Sequence, residues 1–332
     1  TLMYSACVLG GLYALSLTLR TDGPHPVAWV LTVLLLALAL LSKEIAVIGP
    51  VLAIVMYLLF SRVSHPRTWS TRHTFAALAG GIVLAALPVI LFLHLSQWDV
   101  ALFKRNIAAV GGPIDTHTPG LTRLTYTLTQ PKVICLYALR TFWPAPLTVD
   151  PDVTLCTSFT DPCFLMPVCL IAMVIAAAWL ARRRAPLVTW GIALFLIPLI
   201  PQSSIIPTPD LMFEHRAYLS IAGIITAAIA ILAAACRDAR VQVRRAVPAL
   251  LALLVGAGIA ATRLRANVWR SDLTLWRDAH RKAPQKQRPA VNYANALILR
   301  RRTEEAVAVL TNLIASTDQV IPDVAFAAAN AC

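Results

Sequence analysis

Along this chain, long runs without a charged residue alternate with short polar segments. The apolar runs cover roughly 2–19, 27–41, 45–60, 74–95, 163–181, 187–201, 217–236 and 246–262. They predict helices that cross or enter a bilayer, since a full span takes about 20 apolar residues. A soluble core would instead interleave apolar and polar positions at helical or strand period. Several runs are shorter than a full span. The runs 27–41 and 45–60 are split only by Ser42-Lys43-Glu44. One continuous helix there would bury two charges at its centre, at a high cost in hydrocarbon, so two helices meeting at a surface are expected. Segment 128–149 is mixed, with Pro131, Lys132, Arg140, Pro144 and Pro146, and predicts an interfacial or re-entrant helix.

After residue 262 the pattern changes. Apolar residues recur at helical spacing among charges, as in Leu275/Trp276/Ala279 and Leu297/Ala306/Leu310/Leu313. An echo at 34 residues aligns Trp276 with Leu310, Ala279 with Leu313 and Pro284 with Asp318, and Ala294 precedes Ala306 by 12. This is the tetratricopeptide period, in which each helical hairpin buries its face on the next. The expected architecture is therefore all-α. A polytopic transmembrane bundle over 1–262 is followed by a tetratricopeptide-like helical repeat over 267–332. Only one full repeat and its flanks are present and Cys332 ends without a polar cap, so the module is expected to be truncated.

Composition agrees with the pattern. Apolar residues make up 58% of 332, charged residues 14%, and mean hydropathy is +0.70. That leaves too little polar surface to cover a soluble domain. The formal charge of +13 invites a nucleic-acid partner. Its distribution argues against one. The arginines gather at the ends of apolar runs: Arg62, Arg67 and Arg72; Arg182, Arg183 and Arg184; Arg237, Arg240, Arg244 and Arg245. Such clusters mark cytoplasmic loops. With 61–73, 182–186 and 237–245 cytoplasmic, residues 42–44, 96–162, 202–216 and everything after 262 fall on the opposite side, provided 128–149 does not cross. The chain is then an integral multi-pass membrane protein with its C-terminal repeat extracytoplasmic. The long extracytoplasmic loop 96–162 nearly balances its charges, holding Asp99, Lys104, Arg105, Asp115, His117, Arg123, Asp150, Asp152 and Asp161. It is too long for a mere connector and is expected to be functional.

The start, Thr1-Leu2-Met3-Tyr4, has no initiator Met, basic region or cleavage site, which fits a trimmed chain better than a signal peptide. Seven scattered cysteines and seven dispersed histidines offer no metal spacing, so no metal site is expected. Cys156 and Cys163 flank Thr157–Pro162 on the side placed outside the cytoplasm, and an oxidising compartment would let them pair. Two free thiols are the alternative.

Two constellations carry candidate chemistry. One is Leu41-Ser42-Lys43-Glu44-Ile45-Ala46-Val47. A Lys–Glu pair at a junction of short apolar helices is costly unless it meets a partner or a charged ligand. Lys43 near the bilayer surface suits a lipid-linked phosphate, with Glu44 orienting it; a helix corner with charges snorkelling into water is the alternative. The other runs from Pro201-Gln202-Ser203-Ser204 to Asp210, then Phe213-Glu214-His215-Arg216-Ala217-Tyr218-Leu219. Arg216 can grip a phosphate with two parallel hydrogen bonds and Tyr218 suits the interface; an ordinary interfacial anchor is the alternative.

Leu-Ser-Lys-Glu followed by Ala-Val and Pro50, then Glu214-His215-Arg216-Ala217-Tyr218-Leu219, then Trp269, Trp276 and the repeats, resemble the transmembrane and tetratricopeptide-repeat-containing glycosyltransferases. Those are GT-C-type enzymes related to protein O-mannosyltransferases. The landmarks run from about residue 2 to 332, and the specificity lies in their order. The resemblance implies inverting transfer of a sugar from a polyprenyl-phosphate donor to a protein or glycan acceptor on the extracytoplasmic face. It implies no cofactor. The family's catalytic acid sits in the first external loop, upstream of the region matched here, so the catalytic residue is unknown. Lys43, Glu44, Glu214, His215, Arg216 and Tyr218 would bind the donor or organise its site, and residues 267–332 would hold an acceptor or a protein partner. Two other functions compete. A surface-polysaccharide polymerase or ligase would put Arg105 and Arg123 at its site, and a non-catalytic scaffold would recruit partners through its repeats.

Overall fold

The computed structural model describes residues 2–20, 26–64, 120–201, 203, 210–237 and 240–316. The predicted span 74–95, residues 96–119 of the long loop and the repeat beyond 316 lie outside them. The described residues form eleven α-helices and no strand: α1 (Leu2–Arg20), α2 (Pro26–Ser42), α3 (Ile48–Ser64), α4 (Arg123–Phe142), α5 (Pro162–Ala181), α6 (Pro186–Leu196), α7 (Tyr218–Ala235), α8 (Val241–Ala266), α9 (Asp272–Lys282), α10 (Gln287–Ile298) and α11 (Thr303–Ser316). Four of them are long and apolar enough to cross a membrane, within Leu2–Leu19, Pro162–Ala181, Glu214–Ala235 and Arg245–Arg270. Protein covers 6% of the second window and none of the fourth. Apolar flanks this bare are stable only against lipid or another apolar partner.

Local chemistry sets the helix starts. Asp161 caps α5 by accepting the Cys163 N–H at 2.9 Å, and Pro162 follows at the first helical position. Reciprocal capping boxes open α4 and α9. Thr122 exchanges bonds with Thr125, and Ser271 does so with Thr274. Within the predicted loop 96–162, residues 123–142 are thus helical. The helix gives way at Phe142, ahead of Pro144, Pro146 and Pro151, none of which can donate to a helical ladder. Cys156 and Cys163 are joined by a disulfide, which ties the following segment to the start of α5.

Three buried clusters hold the described residues together. Tyr4, Val8, Leu12 and Leu15 of α1 pack with Leu52 of α3, Trp190 and Leu194 of α6 and Leu219 of α7. Val133 and Tyr137 of α4 pack with Val153, Phe195, Leu199, Met212 and Ala217. In the C-terminal hairpins, Ala290, Ala294 and Leu297 of α10 face Ala306, Leu310 and Leu313 of α11. The small–large alternation lets these two short helices approach closely.

Candidate functional site

The two constellations sit on matching local structures. Glu44–Val47 and Glu214–Ala217 are each a single 3-10 turn leading into an apolar helix, α3 or α7. Ala46 and Ile48 in one, and Ala217 and Leu219 in the other, are buried. These anchors follow the polar residues directly, and Ala46, Ile48 and Leu219 share one buried cluster.

The Lys43 amide donates to the Ala39 carbonyl at 3.1 Å, finishing α2, and its ammonium lies 5.7 Å over the Tyr4 ring. No ion pair among the described residues includes it. The Glu44 side chain lies outside those residues. His215 is exposed and stacks on Phe213, with centroids 5.0 Å apart and planes at 29°. Lys43, Arg216 and Asp210 all lie within electrostatic reach of His215. Two motifs far apart in sequence therefore share one neighbourhood. Tyr218 is exposed on the first turn of α7.

Arg216 donates to the Asp210 carbonyl at 3.0 Å, and its guanidinium lies 5.1 Å over the Phe213 ring. Glu214 accepts the Thr148 N–H at 2.8 Å and lies 3.6 Å from an Arg140 nitrogen. Tyr137 fixes the backbone from below. Its hydroxyl donates to the Phe213 carbonyl at 2.8 Å and accepts the Phe213 N–H at 3.1 Å. Burial pushes this hydroxyl up to about 12, so it stays protonated and keeps both bonds.

The C-terminal hairpin closes on the same end. Lys282 donates to the Leu147 carbonyl, and Lys286 reaches the Asp150 carboxylate at 2.5 Å and the Pro151 carbonyl at 3.0 Å. Arg288 pairs with the Asp210 carboxylate and sits 5.9 Å from the Phe213 centroid. Asp278 receives Arg265 at 2.5 Å and Lys282 at 2.8 Å. Burial alone would raise the Asp278 carboxyl. The hydrogen bonds from Lys282 and Arg265 outweigh it and hold the group below the usual carboxylate range.

Beside this polar junction, an apolar cavity of about 290 Å³ opens between α4, α5, α6 and α7, lined by Cys135, Phe142, Ile171, Phe195, Ile224 and Ile231 among others. Among the described residues, no group of three His, Cys, Asp or Glu side chains is placed to hold a metal ion.

Sequence reasoning missed Tyr137, Phe213 as a platform, and the hairpin cations Lys282, Lys286 and Arg288. Arg140 and Asp210 were visible as charges but not as partners. Local signals do not mark their long-range contacts, such as Tyr137 to Phe213, Arg140 to Glu214, Lys286 to Asp150 and Arg288 to Asp210, which join residues between 74 and 136 positions apart. Compared with protein-family models, with curated proteins and with solved structures, the chain matches none.

Proposed function

We propose that this chain is the membrane-embedded part of a glycosyltransferase that moves a sugar from a polyprenyl-phosphate donor to a protein or glycan acceptor on the extracytoplasmic face. The observation that carries this reading is that Lys43 and Arg216 both lie within electrostatic reach of His215, at helix ends whose anchors Ala46 and Leu219 share one buried cluster. Neither Lys43 nor Arg216 is paired with a carboxylate among the described residues. A cation beside apolar surface gains strongly from an anionic ligand that can reach it. A donor with a phosphate head and a long apolar tail supplies both a charge for the cations and a chain for the cavity between α4 and α7. Glu214 organises the site rather than acting as base, because Arg140 and the Thr148 N–H already engage it. The C-terminal hairpins are read as tetratricopeptide-like and as the element that presents the acceptor. Proximity of Lys43 and Arg216 to His215 favours this over a non-catalytic scaffold.

The test is sugar transfer by the intact protein in membranes, from a panel of polyprenyl-phosphate sugars, with Lys43→Ala and Arg216→Ala. Each change should lower transfer about tenfold or more, as loss of a charge-assisted contact to phosphate does. Unchanged transfer in both variants would remove the assignment.

A further inference from the structure

Building on that reading, we infer that Arg288 of the C-terminal hairpin is a donor-binding residue, and that Asp210 holds its place for the phosphate while the site is empty. Four groups carry the argument. Arg216 and Arg288 approach the same Phe213 ring, at 5.1 and 5.9 Å from its centroid. His215 stacks on that ring, and Lys43 is within electrostatic reach of His215. One aspartate serves both arginines: its carboxylate pairs with Arg288, and its carbonyl accepts from Arg216. Two guanidiniums thus approach one ring and share one aspartate, while the Lys43 ammonium, over the Tyr4 ring, lies within electrostatic reach of the stacked His215. Counted over Arg216, Arg288 and Asp210, the cluster keeps one positive charge, which a phosphate oxygen can neutralise.

Position and access both suit a binding role. Arg288 lies between Gln287 and Pro289, with Ala290 two positions on, all three buried, so its backbone is fixed. Lys286, two residues earlier, is clamped to Asp150 and the Pro151 carbonyl. A planar guanidinium offered from a fixed backbone is suited to two-point recognition of phosphate oxygens. Its side chain keeps 31% of its surface and that of Asp210 keeps 21%, so a ligand can reach the pair and take the carboxylate's place. The hairpin therefore contributes a side chain to the donor site as well as a surface for an acceptor.

The test uses the intact protein in lipid nanodiscs, with farnesyl phosphate as probe and farnesol and inorganic phosphate as comparators. Arg288→Ala should weaken farnesyl phosphate roughly tenfold or more while leaving farnesol unchanged. Asp210→Asn keeps the side chain's shape and removes the competing charge, so it should tighten farnesyl phosphate; an ion pair with only a structural role would give the same affinity or a weaker one. Arg288→Lys, which keeps the charge without the fork, should fall between wild type and Arg288→Ala. If Arg216→Ala weakens the probe and Arg288→Ala does not, the inference is overturned and the glycosyltransferase reading stands. If neither variant weakens it, both fall. Inorganic phosphate binding as tightly as farnesyl phosphate would overturn the lipid source of the phosphate.

Discussion

Helices α6 and α7 meet backbone to backbone at Gly191 and Gly223, and substituting either with alanine should force them apart. A Cβ at Gly191 would lie 2.6 Å from the Ala227 nitrogen and 2.6 Å from the Gly223 oxygen. One at Gly223 would lie 2.5 Å from the Gly191 oxygen and 2.7 Å from the Leu194 carbonyl carbon. Ordinary contact begins at 3.4 Å. None of these atoms can swing aside as a side-chain tip could, so the helices must separate by roughly 1 Å, a gap that forfeits a quarter to a half of each dispersion contact along the seam. Overpacking a core costs about 1–3 kcal/mol, and a clash against backbone belongs at the upper end, near 3 kcal/mol. For a domain of this size that is a fall in Tm of about 6–12 °C. Circular dichroism at the helical band follows the loss of this packing during heating in nanodiscs. Gly256→Ala on α8 is the control, because a Cβ there meets nothing within 4 Å. It should leave Tm unchanged or raise it slightly, since alanine is the better helix former by about 0.5–1 kcal/mol. A Gly223→Ala protein melting within about 1 °C of wild type, or a Gly256→Ala protein losing as much as Gly223→Ala, would refute this account of the packing.

Two further outcomes are expected. Tyr137→Phe leaves the Phe213 N–H without the hydroxyl it donates to and removes one of two donors to the Phe213 carbonyl, which keeps the Arg216 N–H at 3.1 Å. It should therefore cost about 1–3 kcal/mol and weaken farnesyl phosphate binding by disturbing the platform under Arg216 and Arg288; thermal melts and binding curves with wild-type values would sink that role. Asp278 has a depressed pKa when folded, so its pairs with Arg265 and Lys282 stabilise the hairpin fully above the ordinary carboxylate value of 3.8, and this support is lost as pH falls through the lower folded value. Proteolysis of the hairpin should accelerate over that acid range in wild type, and Asp278→Asn should cleave faster at neutral pH with a flatter profile; identical profiles would show that the pairs do not secure it.

The apolar runs were legible because hydrocarbon leaves the sequence little choice. The runs 2–19, 163–181 and 217–236 reappear as α1, α5 and α7 within a residue or two. The break at Ser42-Lys43-Glu44 reappears as the end of α2 and a 3-10 turn, as a charged pair between two short apolar helices requires. Helical spacing after 262 likewise picked out Leu297, Ala306, Leu310 and Leu313, which share one buried cluster. Helix α4 was harder to bound. Its polar residues suggested an interfacial segment, yet its start at Arg123 depends on the Thr122–Thr125 capping box rather than on hydropathy. In the site, Lys43, His215 and Arg216 stood out because charge next to apolar runs is rare. Arg288 did not, since one arginine among the many charges after residue 262 carries no such contrast.

Helix α4 shows why a mixed segment can link the two halves of this arrangement. Along one side, Thr129 accepts the Cys156 N–H at 2.9 Å, Gln130 donates to the Leu211 carbonyl at 3.3 Å, and Tyr137 and Arg140 engage Phe213 and Glu214. Along another, Ile134, Ala138 and Phe142, spaced four apart, line the apolar cavity. Averaged over the segment, these two sides cancel in hydropathy, and α4 is not among the helices long and apolar enough to span. Read by position, they are separate surfaces of one rigid rod. The same helix that orders the backbone of Phe213 through Tyr137 therefore forms a wall of the apolar cavity. A displacement of α4 would disturb the charged junction and the cavity together, so in this fold the polar and apolar parts of the proposed donor site are set by one element and cannot be tuned independently.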